Sequence, residues 1–93
     1  MRLPMLYRRV GEEEWNRGTT ENISASGVLF VGGRDLETAA PVEMTVTLPP
    51  EVSGTAAVEV ICLGQVVRRA PAPRTGGVEL AATIREHRLA RRE

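Results

Sequence analysis

Val42-Glu43-Met44-Thr45-Val46-Thr47-Leu48 is followed by Pro49-Pro50. Apolar side chains alternate with polar ones through this stretch. That period predicts a strand with one buried face, stopped by the prolines. Val78, Leu80, Ala82 and Ile84 repeat the pattern around Glu79, Ala81 and Thr83. Between them lies the longest apolar run, Ala56 to Val67, with Val58, Val60 and Cys62 on one face and Ile61 and Leu63 on the other. Gly64 inside this run predicts a bulge or bend where the inward face changes over. Val46 and Val60, central in their strands, are expected in the core.

The same period extends toward the N-terminus. Leu3 to Val10 reads as a strand, and Gly11-Glu12-Glu13 as a turn. Trp15 to Ile23 reads as a second strand, and Gly27-Val28-Leu29-Phe30-Val31 as a third, closed by Gly32-Gly33. Residues 71–76 read as a loop. Six strands with turns between them predict an all-β fold, a small six-stranded antiparallel β-barrel. After Ile84, Arg85-Glu86-His87-Arg88-Leu89-Ala90-Arg91-Arg92-Glu93 contains no β-branched residue, Gly or Pro. This predicts a short C-terminal α-helix, docked on the barrel through Leu89 because so short a helix is unstable alone. The 93 residues fit one domain, 1–93.

Twelve acids balance twelve basic residues, and all twelve are Arg. Zero net charge excludes a basic nucleic-acid coat and an acidic disordered tail. The charge is divided unevenly. Residues 1–51 carry five Arg and eight acids, net −3; residues 52–93 carry seven Arg and four acids, net +3. The C-terminal part is therefore the better place for an anion. No apolar run is long enough to span a membrane, and Arg8-Arg9 interrupts any signal-peptide core. The single cysteine, Cys62, allows no internal disulfide. A cytoplasmic protein without membrane insertion is expected.

Little in the chain supports catalysis. Cys62 and His87 form a dyad only if they meet beside an oxyanion site. A buried structural Cys and a surface His are the simpler reading. Metal ligation is poorly supplied, and no cofactor is expected. The chain lacks GxxxxGK[ST] and GxGxxG phosphate loops. Tyr7, Trp15 and Phe30 are its only aromatics, too few for stacked nucleic-acid recognition. One compact polar segment remains, Asn22-Ile23-Ser24-Ala25-Ser26-Gly27. Asn22 and Ser24 lie two apart, so an extended chain presents both on one face. Gly27 permits a tight turn and a close backbone approach. On spacing alone a plain Asx/Ser turn is the simpler reading of the segment, and a ligand corner the second.

In its context the segment resembles the [D/N]xSxxG motif of the PilZ domain. Asn22, Ser24 and Gly27 match it position by position. Leu3-Pro4-Met5-Leu6-Tyr7 is similar to that family's first strand, Gly64-Gln65-Val66-Val67-Arg68 to its G-x-V-V-x stretch, and Gly77-Val78-Glu79-Leu80 to its Gly-Val-x-Phe step. The resemblance implies a PilZ-type barrel with a C-terminal helix and a bacterial signal-transduction protein of the cyclic di-GMP system. It also implies a ligand-binding corner at Asn22, Ser24 and Gly27 that hydrogen-bonds guanine and sugar–phosphate. In the family a separate RxxxR ahead of the first strand clamps the phosphates. Here only Arg2 precedes Leu3, and Arg8-Arg9 has the wrong spacing. Losing two charge-assisted phosphate contacts costs at least ~3–6 kcal/mol. The departure implies a truncated or short member, or a degenerate one. The first binds cyclic di-GMP weakly, with Arg17, Arg68 and Arg69 as candidate substitute clamps. The second acts through a protein partner, as in pilus or motility control. Neither needs an enzyme activity.

Overall fold

The computed structural model describes residues 2–54 and 56–91, with the side chains of Val52 and Arg91 left aside. In chain order the elements are β1 (Pro4–Arg9), β2 (Asn16–Ile23), β3 (Gly27–Gly32), β4 (Pro41–Leu48), α1 (Pro50–Ser53), β5 (Val58–Ala72), β6 (Gly77–Thr83) and β7 (Glu86–Arg91). Every pairing is antiparallel. Six strands close a barrel in the order β1-β2-β3-β6-β5-β4, and β4 returns to β1 through Met5↔Val46. Closure removes the open edges that a flat six-stranded sheet would expose.

The alternation read from the sequence sets the inward face. Val42, Met44 and Val46 of β4, Met5 and Tyr7 of β1, Val28 and Phe30 of β3 and Leu80 and Ala82 of β6 are buried together. The Tyr7 and Phe30 rings meet at 4.9 Å between centroids, tilted by 58°. The Tyr7 hydroxyl donates to the Arg34 carbonyl at 2.5 Å and accepts from the Arg34 N–H at 2.9 Å. Those two bonds tie the β3–β4 loop to the barrel. Burial pushes the Tyr7 phenol above its ordinary value. Val46 is fully buried as expected. Val60 is only partly buried: it pairs with Val46 on one edge, but on the other with the exposed Leu89 of β7, outside the barrel.

The expected C-terminal helix is corrected. Residues 86–91 form β7, which pairs with β5 from Leu63↔Glu86 to Val58↔Arg91. In its first half β5 is bonded to β4 on one edge, so its other edge would be open. Satisfying those backbone groups outweighs the weak helix preference of so short a segment. β5 also runs through the expected loop as far as Ala72, leaving residues 73–76 as the turn. Beyond Pro49 the chain makes one unexpected helical turn, α1, closed by Gly54 at φ 88.

Gly64 has a role other than the expected bulge. The inward parity of β5 passes through it unchanged from Cys62 to Val66. A Cβ at Gly64 would stand 1.6 Å from the Thr83 carbonyl oxygen, so the glycine lets β5 cross against the end of β6. The face changes over three residues later, between Val66 and Arg68.

Candidate functional site

β2 starts in simple register with β3, Thr20 opposite Phe30. Glu21 is then an extra residue, and pairing resumes at Asn22↔Leu29. Without that bulge Asn22 would follow the inward face; with it, Asn22 lies on the outer face beside Leu29. β5 repeats the device. Val66 pairs with Ala82, Val67 is extra, and Arg68 pairs with Ala81. Ala82 faces the core and Ala81 does not, so the bulge turns Arg68 outward.

The two bulges align one row across four strands: Asn22 on β2, Leu29 on β3, Ala81 on β6 and Arg68 on β5. Three interstrand spacings put its ends roughly 14 Å apart, with a low apolar floor between them. Asn22, Ser24, Gly27, Leu29, Arg68 and Thr83 line an open cleft of about 330 Å³ on this wall. At its corner the Ser24 N–H donates to the Gly27 carbonyl at 2.9 Å, and Ser26 accepts from the Ile84 N–H at 2.9 Å through its carbonyl. The Ser24 and Ser26 hydroxyls stand 3.5 Å apart. A Cβ at Gly27 would meet the Ala82 carbonyl oxygen at 3.1 Å. Any larger residue here would have to push the β6 backbone back by a few tenths of an ångström.

The other expected residues go elsewhere. Arg69, one residue past Arg68, faces the opposite side of β5. Its Nε donates to Asp35 Oδ1 at 2.9 Å, and its Nη2 bonds Oδ2. That partner holds the Asp35 carboxyl below the usual range. Arg17 lies toward the start of β2, opposite Leu6, and lines a different cleft with Gly33 and Gly76. Arg8 stacks over Trp15 at 4.1 Å and pairs with Glu43 at 2.9 Å, and Arg9 stands 3.5 Å from Glu37. Arg2 contacts Glu21 at 3.4 Å. Arg68 makes no ion pair among the described residues, so its guanidinium is available to a ligand. Ser26 and Thr83 also line the cleft. Ser26 was visible inside the polar segment. Thr83 gave no signal, because only barrel closure brings it there.

Cys62 and His87 are register partners on β5 and β7, but Cys62 is buried and His87 is exposed. The thiol is buried and desolvation raises its pKa, the reverse of an activated nucleophile. Among the described residues no group of three or more His, Cys, Asp and Glu side chains is placed to hold a metal ion. No helix among them is long and apolar enough to cross a membrane.

A closed antiparallel barrel with a polar corner and an outward arginine on one wall defines a small binding module. A family model for the PilZ domain matches residues 1–92, and the chain belongs to that family. PilZ domains are non-enzymatic and bind cyclic di-GMP or act as related adaptors. No curated protein and no solved structure matches the chain.

Proposed function

We propose that the chain is a cytoplasmic bacterial signalling module that binds cyclic di-GMP weakly along the row from Asn22 to Arg68. The supporting observation is that row itself: amide, hydroxyl and guanidinium groups on one wall, separated by the low floor of Leu29 and Ala81. The Asn22 amide and the Ser24 hydroxyl suit a base edge or a ribose. Arg68 supplies the charge and paired donors that a phosphate requires. The row brings one arginine to two phosphates, so the expected dissociation constant lies above roughly 10 μM.

Calorimetric titration of the purified chain with cyclic di-GMP tests this. Arg68→Ala abolishes the heat, and an RxxxR segment grafted ahead of Leu3 tightens binding by about tenfold or more. Submicromolar binding by the unaltered chain would overturn the weak-affinity reading. Absence of binding even after the graft selects the second reading, an adaptor that works through a protein partner. That reading is favoured by one observation: Arg17 and Arg69 both stand away from the corner, and Arg69 is already paired.

A further inference from the structure

Six strands complete the barrel, and β7 lies outside it. One edge of β7 is bonded to β5; among the described residues its other edge pairs with nothing. Side chains 86–89 are exposed, and Leu89, at 68%, is the most exposed of the large apolar side chains described. Leu63, opposite Glu86, is also exposed. A free edge of this kind is a template for one more strand.

Charge decides which strand fits. Positions 85–93 hold four Arg and two Glu, a surplus of two positive charges. A second copy would add the same surplus. Two-fold antiparallel pairing centred on Leu89 would set Arg88 diagonal to its own copy. Like charges facing each other across strands are destabilising. The arginines that disfavour self-pairing attract an acidic strand instead.

We propose that the free edge of β7 docks an extended acidic segment of a partner protein, added as an outer strand with carboxylates near Arg88 and an apolar side chain over Leu89. Backbone hydrogen bonds supply affinity, the arginines select the sign of charge, and Leu89 fixes the register. The surface is separate from the candidate nucleotide row. β7 lies along residues 58–63 of β5, whereas Arg68 lies beyond the bulge.

The test uses the full chain and two synthetic peptides of about ten residues, enough for one strand. One alternates Glu with Val and Leu; the other replaces each Glu by Lys. Amide exchange and NMR shifts are followed during titration. The acidic peptide should protect amides within 86–91, and its binding should weaken about tenfold in Arg88→Glu and at ~0.5 M rather than ~0.05 M salt. Leu89→Ser should weaken it too, and Arg68→Ala should leave it unchanged. Near-ultraviolet circular dichroism checks that each variant keeps its fold. Equal binding of the lysine peptide, protection confined to other strands, or no binding at millimolar acidic peptide would each overturn the proposal. So would a dimer of the chain alone that protects the same amides.

Discussion

Ala39 is the one non-glycine residue at positive φ among the described residues, at 76°. Its N–H donates to the Val66 carbonyl at 2.7 Å, and its carbonyl accepts from Gln65 Nε2 at 3.1 Å. Those bonds hold it in a region that costs an L-residue about 1–2 kcal/mol. Glycine would remove that cost while adding about 0.4–1 kcal/mol of unfolded-state freedom. Ala39→Gly should therefore stabilise the fold by about 0.5 kcal/mol, read as a higher urea midpoint. A lower midpoint would show that the turn carries no strain. Burial separates the two central valines. Val46→Ala should cost about 2 kcal/mol, Val60→Ala about half that, and Thr45→Ala less than either, because less apolar surface returns to water at each step. Equal costs at Val46 and Thr45 in urea unfolding would contradict the inward parity of β4. The sequence put Val46 and Val60 on equal footing, because alternation shows which way a side chain points and not how much neighbouring barrel covers it.

Among the elements, β5 was the hardest to read. Its apolar face was legible, and so was the special status of Gly64. The position of the bulge was not, because a register slip belongs to a pair of strands and leaves no mark on one. The same holds for Glu21, whose bulge carries Asn22 outward. Asn22, Ser24, Gly27 and Arg68 were therefore named from the chain, while the row that joins them appears only once four strands are paired. The mistaken helix at 85–93 has a related cause. Local propensity was read without the open edge of β5, and tertiary pairing overrides propensity in short segments. Gly64→Ala tests the crossing. The methyl would collide with backbone of Thr83, which cannot swing aside as a side chain can. The substitution should cost about 3 kcal/mol, near the upper end for overpacking, and should accelerate exchange of amides in β6 and β7. A loss below about 1 kcal/mol would show that the strands separate easily there.

For the whole molecule, ion pairs gather around the loop that joins β3 to β4. Arg34 reaches both carboxylate oxygens of Glu12 at 2.6 and 2.7 Å, and Arg69 holds Asp35. The Arg34 guanidinium keeps the Glu12 carboxyl below its ordinary value of 4.5, and Arg69 keeps Asp35 below 3.8. A carboxyl with a lowered pKa in the folded state binds fewer protons there than in the unfolded chain. Its stabilisation is complete above the ordinary value and disappears as pH falls through the lowered one. The urea midpoint should stay level from about pH 7 to about pH 5 and then fall. Glu12→Gln with Asp35→Asn should flatten part of that fall, and 0.5 M salt should shrink it about as screening does for exposed pairs. An unchanged acid slope in the double variant would show that other carboxylates control it.

The strand order β1-β2-β3-β6-β5-β4 also bears on how the chain leaves the ribosome. β1, β2 and β3 emerge first and zip into a meander whose two outer edges stay bare. β1 must wait for β4. β3 must wait longer, because its second neighbour is β6, which ends at Thr83. Until that point has cleared the exit tunnel, the nascent barrel is an open sheet with its apolar face turned to water. Synthesis through Thr83 therefore precedes the moment at which the barrel can shut, and that interval is when a holding chaperone matters most to its yield.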